Sequence, residues 1–283
     1  TILVHQFFGE LTLETPDLKR LPGFAKFHLG SWGERVAFVS TILGIFGAIL
    51  AYLIVGGEFL TELLSPFFGG GNLIYTLIYF IFGSSLILFG IKAIAKVEFW
   101  GMILFFAILI TIFFRGFSQI KLINLFPSPD FGQLFLPYGP ILFSIWGAAL
   151  IPEVEEMLGE RKLLLRKIIP ISILIPIFVY LFFIYLILGI TGSQTTESAL
   201  SGLGNFLGNK IASLGLFLGL LTTFTSFIAL GLTLKNVFHY DLKINKNLAW
   251  AATCFFPLIL FLIGVRQFIQ VIAFVGAVML GID

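Results

Sequence analysis

The chain has 283 residues, of which 58% are hydrophobic and 11% charged, with a mean hydropathy of +1.05. Soluble domains carry about 25% charged residues, so this composition defines an integral membrane protein and leaves no room for a sizeable soluble domain. A net charge of +2 spread over loops excludes a nucleic-acid-binding face, and a single cysteine, Cys254, excludes an internal disulfide or a cysteine-built metal site.

In chain order, Thr1 to Gly9 is apolar but too short to cross a bilayer, and it has neither a basic n-region nor a cleavage site. It reads as the tail of a span whose beginning is missing, so the sequence is expected to be a fragment. Glu14 to Glu34 is a charged connection around Leu21-Pro22-Gly23 that can carry a short interfacial helix. Full spans are predicted over 36–64 and 73–90, with the three glycines Gly69 to Gly71 turning the chain between them. Ile91 to Glu98 returns the chain to a span over 99–114. Arg115 to Gln133 is an irregular connection that includes Pro127-Ser128-Pro129-Asp130. Further spans follow over 137–158, 168–190, 211–237, 248–265 and 267–282, making eight in all. Lys and Arg then fall 13 on one side and 4 on the other, which makes the richer side cytoplasmic and localises the chain to the plasma membrane as a multi-pass protein.

The span over 137–158 differs from the others. It carries Gly139, Pro140, Gly147 and Pro152, and Pro152 cannot donate its backbone hydrogen bond and clashes one turn back. The helical ladder is therefore expected to open within Ser144 to Ala149, leaving two half-helices of about 8 to 10 residues. A kinked but continuous helix is the plainer alternative. Unpaired backbone groups at membrane depth are tolerated only beside protein or a polar cavity, and transporters use such breaks to bind substrates and ions. The end of the outer half offers carbonyls and the start of the inner half offers amides, a pair suited to a zwitterion. Ser144, Ile145, Trp146, Gly147 and Ala148 are the candidate substrate contacts, with Ser144 adding a hydroxyl and Trp146 a stacking wall.

Elsewhere, Thr222, Thr225 and Ser226 fall within one helical turn. They could hold a dehydrated sodium ion or serve only as packing residues that bond back to their own helix. Glu58, following Gly56-Gly57 in a span, is a candidate proton carrier, or simply an interfacial carboxylate. Tyr52, central in the same span, could line a substrate cavity or hold a neighbouring helix. Glu153, Glu155 and Glu156 face Arg161 and Lys162 and suit interfacial ion pairing. His5, His28 and His239 are expected near the cytoplasmic boundary, with no metal site or catalytic triad among them. Nothing points to an enzyme or an organic cofactor.

Several stretches, in order along nearly the whole chain, carry a resemblance. They are Leu21-Pro22-Gly23-Phe24-Ala25, Ala51-Tyr52-Leu53-Ile54-Val55-Gly56-Gly57-Glu58-Phe59-Leu60, Pro137-Tyr138-Gly139-Pro140-Ile141-Leu142-Phe143, Ile151-Pro152-Glu153, Asp241-Leu242 with Leu248-Ala249-Trp250, and Val271-Ile272-Ala273-Phe274-Val275-Gly276-Ala277. The sequence resembles the amino acid permeases of the amino acid, polyamine and organocation superfamily, closest to the hydroxy and aromatic amino acid branch. The resemblance implies an all-α, leucine-transporter-like inverted-repeat bundle, here running from the end of helix 2 to helix 10. It implies secondary active symport of an amino acid, aromatic or hydrophobic, with Na+ or H+ by alternating access, the partners being the substrate and the lipid bilayer. On that register the break belongs to the sixth helix, Thr225 and Ser226 match ion ligands on the eighth, and Tyr52 lies on the cavity-lining third. The family's first helix, which supplies the other half of both sites, does not occur in these residues, so the 283 residues alone are not expected to transport. The alternative is a non-transporting structural or sensor component with a decayed site.

Overall fold

Without water to take up backbone groups, apolar runs cross a bilayer only as helices or closed barrels. In the computed structural model of the chain, the described residues form helices and no strand. The structure describes residues 1–15, 19–89, 94–126, 132 and 134–282. The predicted turn Pro127-Ser128-Pro129-Asp130 lies outside them, as do Ile91 to Ala93, Gln133 and Asp283. In chain order the helices are α1 (Ile2–Glu14), α2 (Leu21–Phe68), α3 (Asn72–Phe89), α4 (Ile94–Gly116), α5 (Tyr138–Ser144), α6 (Ile151–Leu158), α7 (Leu165–Thr191), α8 (Gly204–Leu207), α9 (Asn209–Asn236), α10 (Lys246–Leu262), α11 (Phe268–Phe274) and α12 (Leu280–Ile282). Among the described residues, five helical stretches are long and apolar enough to cross a membrane: Leu21–Phe68, Asn72–Phe89, Phe99–Gln119, Val154–Gln194 and Asn209–His239. Three shorter apolar stretches are Tyr138–Leu150, Lys246–Leu262 and Phe268–Ile282.

The chain divides into two compact units. The first comprises Thr1–Gly44, Asp130–Phe182 and Ile272–Asp283. Within it α1 packs on α6, and a buried cluster of Ala148, Ile151, Leu165, Ile169 and Ile173 is closed by Phe8 and Trp146. α5 crosses the π-helical turn Val275–Met279 so closely that a Cβ on Gly276 would collide with the carbonyl of Gly139, and one on Gly139 with the backbone of Ala273. Glycine at both positions lets the two backbones touch, a packing mode common between membrane helices. Gly30, at φ 74° and ψ −166°, breaks α2 into a short opening piece and the long helix that follows.

Ion pairs decorate this unit. Arg166 forks onto Glu10, with both nitrogen–oxygen distances at 2.7 Å, while Lys162 reaches Glu155 at 3.6 Å and Arg20 reaches Glu156 at 3.7 Å. Of the acids expected to pair, Glu155 does so with the turn beside it and Glu156 does so with Arg20, while the side chain of Glu153 lies outside the described ones. The side of α7 bearing Ile171, Leu174, Phe178 and Leu181 is exposed, the kind of surface a bilayer solvates.

The second unit comprises Ile45–Pro129 and Phe183–Val271. α9 is its hub, packed against α3, α4 and α10. Side chains from other elements bond to carbonyls near the end of α3, one of them in its last turn, where the carbonyls have no partner within the helix. The buried Lys235 Nζ donates to the Ile87 carbonyl at 2.6 Å, and the Trp250 indole N–H donates to the Ser84 carbonyl at 2.8 Å.

Candidate functional site

Local sequence sets the interruption. α5 stops at Ser144; Ile145 (φ −115°, ψ 13°) and Gly147 (φ −134°, ψ 11°) leave the helical region, and Ala148–Leu150 make one 3-10 turn. α6 then starts at Ile151 with Pro152 in its first turn, where a missing N–H costs nothing. The backbone conformation of Gly147 is open to any residue, and a Cβ there would meet nothing within 4 Å. Glycine at this position leaves room rather than permitting a strained turn.

The groups released by the break are not left bare. The Gly147 amide donates to His5 Nε2 at 2.9 Å, and the Ser144 carbonyl accepts from the Tyr180 hydroxyl at 2.9 Å. Because Nε2 accepts, the ring proton sits on Nδ1, which donates to the Thr1 carbonyl at 3.0 Å. The imidazole also meets the Trp146 ring edge to face, with centroids 5.0 Å apart. A cavity of about 300 Å³ opens beside the break. Its polar wall is His5, Ser144, Gly147, Ser172 and Tyr180, and aliphatic residues such as Ile169 and Ile173 make the rest. That size is at the lower end for small-molecule pockets, roughly 300–1,000 Å³.

Several expectations meet the coordinates here. Ser144, Ile145, Trp146 and Gly147 line one cavity, whereas Ala148 is turned into the apolar core. His5, to which sequence reasoning assigns no role at the break, is 2% exposed and bonded to the middle of the interruption. Sequence reasoning also passed over Tyr180. The available signal was the same for both, a polar ring inside an apolar run, which marks a functional suspect in a membrane segment.

Tyr52, Glu58, Thr222, Thr225 and Ser226 belong to the second unit. The threonines bond within α9: Thr222 Oγ1 donates toward the carbonyls of Leu218 and Gly219, each at 3.1 Å, and Thr225 Oγ1 donates to that of Thr222 at 3.1 Å. Each oxygen still has a lone pair to offer. Half-buried Tyr52 lies near the fully buried Tyr79, whose hydroxyl lies by Thr223. Glu58 lies beside Ser198, with Glu62 and Glu197 as acidic neighbours. Among the described residues no group of three or more His, Cys, Asp or Glu could hold a metal ion.

An apolar helical bundle, with one helix interrupted over a small cavity rimmed by polar groups, defines the class: a multi-pass membrane protein built around a helix break. Residues 4–282 match the tryptophan/tyrosine permease family, and the chain belongs to that family. It is accordingly a multi-pass plasma-membrane protein of a permease family, not an enzyme. It is similar to Tyrosine-specific transport system 1 of Haemophilus influenzae, 25% identical over 238 residues, covering 79% of this chain and 58% of that protein. It is also similar to Glutamine transporter 2 of Aliivibrio fischeri, 22% identical over 261 residues, covering 89% and 67% respectively. The chain thus spans between about half and two thirds of the length of these relatives. No solved structure matches it significantly.

Proposed function

We propose that the chain carries the substrate site of a secondary active amino acid transporter, working by alternating access with Na+ or H+ on a leucine-transporter-like inverted-repeat bundle. The observation that carries this reading is the interruption at Ser144 to Gly147, with a cavity of about 300 Å³ beside it. In this reading the Gly147 amide binds the substrate carboxylate, the Ser144 carbonyl binds its ammonium, and Trp146 and the aliphatic wall take the side chain. The apolar character of that wall, together with the family, favours an aromatic or hydrophobic amino acid. Tyr52 lines the route, Thr222, Thr225 and Ser226 offer oxygens to a coupling ion, and Glu58 is a second candidate for moving a proton. Binding favours closure of one half-helix, and release on the other side follows from the shifted population.

The test is equilibrium binding of radiolabelled L-tyrosine to the purified chain in nanodiscs, with L-tryptophan, L-glutamine and D-tyrosine as competitors, in sodium and in choline chloride. Saturable binding selective for L-amino acids is the expected result. Binding of label that L-amino acids do not displace and that Gly147→Leu does not weaken, or no saturable binding, would overturn the reading.

A further inference from the structure

His5 and a substrate carboxylate need the same atom. Both are acceptors for the Gly147 amide, which has one proton to give, so a neutral His5 competes with the ligand for its subsite. Protonation reverses this. An imidazolium has no lone pair at Nε2, so it cannot accept from Gly147; it becomes a donor and a positive charge beside the vacated amide.

We propose that His5 is a proton-operated positioning residue of the substrate site: neutral, it holds the Gly147 amide, and on taking a proton at Nε2 it releases that amide and pairs with the incoming carboxylate. This rests on the reading of the break as the substrate site. Among the described residues lining the cavity, only His5 and Tyr180 titrate. Among the described side chains of α1, α6 and α7, Glu10 pairs with Arg166, Glu155 with Lys162 and Glu156 with Arg20, and neither these nor Glu14 and Lys167 line the cavity. The Trp146 ring against the imidazole holds it at the break while its charge changes. Proton binding and substrate binding then favour each other, as coupling between sites requires.

The test compares L-tyrosine affinity at pH 5.5, 6.5 and 7.5 for the wild type and His5→Gln. Glutamine keeps an acceptor for the Gly147 amide but takes no proton. Wild-type affinity is expected to strengthen as pH falls, by up to about tenfold per unit where His5 titrates, and the profile of His5→Gln to be flat. Parallel profiles would overturn the role of His5 while leaving the substrate site standing. If the wild type binds no amino acid at any pH, the substrate reading fails, and imidazole 15N spectra decide the rest. The sequence has three histidines, so the resonance missing from His5→Gln is that of His5. That resonance is expected to pass from the neutral tautomer to the imidazolium as pH falls; a neutral signal down to the lowest pH at which the chain stays folded would end the proposal.

Discussion

The interruption at Ser144 to Gly147 and the hydroxyl turn of α9 satisfy their polar groups in opposite ways. At the interruption, backbone groups that have lost their helical partners are met by side chains from elsewhere in the chain: the amide of Gly147 by His5 and the carbonyl of Ser144 by Tyr180. On α9 the backbone is intact, and Thr222 and Thr225 turn their hydroxyls back onto its carbonyls. Side-chain partners can swing away and be replaced by a ligand at little cost to the helices, whereas hydroxyls bonded to their own turn are stable with nothing bound. The first arrangement suits a site that must open and refill. The second can lend a lone pair to an ion but does not depend on one.

Three substitutions sharpen that contrast, and a fourth tests an ion pair outside it. Gly147→Leu should have the largest effect: the new side chain enters open space, so thermal stability in detergent stays near wild type while L-tyrosine binding weakens by at least about tenfold, or 1.4 kcal/mol. A large fall in melting temperature would mean that the glycine serves the fold instead. Tyr180→Phe leaves the Ser144 carbonyl without its donor and should cost about 1 kcal/mol, measured as a lower melting temperature that bound tyrosine partly restores. Thr222→Val removes only local bonding and should cost about 0.6 kcal/mol or less; any larger loss confined to sodium-containing buffer would mark an ion ligand.

Glu10→Gln is the smallest and lies outside both regions. The hydrogen bonds from Arg166 hold the Glu10 carboxyl below the usual carboxylate range. A lowered folded-state value means that the pair stabilises the protein above the unfolded carboxyl's titration near pH 4.3, and that this contribution is lost as pH falls through the folded value. The melting-temperature difference between wild type and Glu10→Gln should therefore be small and positive at pH 7 and vanish toward pH 3. A difference that persists there would show another role for the side chain.

How much of this could be read beforehand follows from which interactions are local. The interruption was legible because Pro152 and Gly147 act on their own turn, and the coordinates leave the helix at 145–147, inside the expected window. The apolar spans were legible from hydropathy for the same reason. The bond from Gly147 to His5 is not legible because the two lie 142 positions apart, and no periodicity in a short apolar segment reports that distance. Ala148 was taken for a cavity residue because a break exposes a stretch of chain, while which residues of that stretch turn inward depends on Leu165 and Ile169 of α7. Gly139 and Gly276 lie 137 positions apart, and that they press on each other is a tertiary fact no local pattern reports.

The most direct measurement is ligand protection at the interruption itself. Position 147 accepts a side chain without strain, and the one native thiol, Cys254, is buried, so Gly147→Cys presents a single addressable thiol to a small polar methanethiosulfonate. The expected result is modification that L-tyrosine slows in proportion to its occupancy and D-tyrosine does not. A thiol that reacts at the same rate with and without saturating L-tyrosine would contradict the assignment of the substrate to the break.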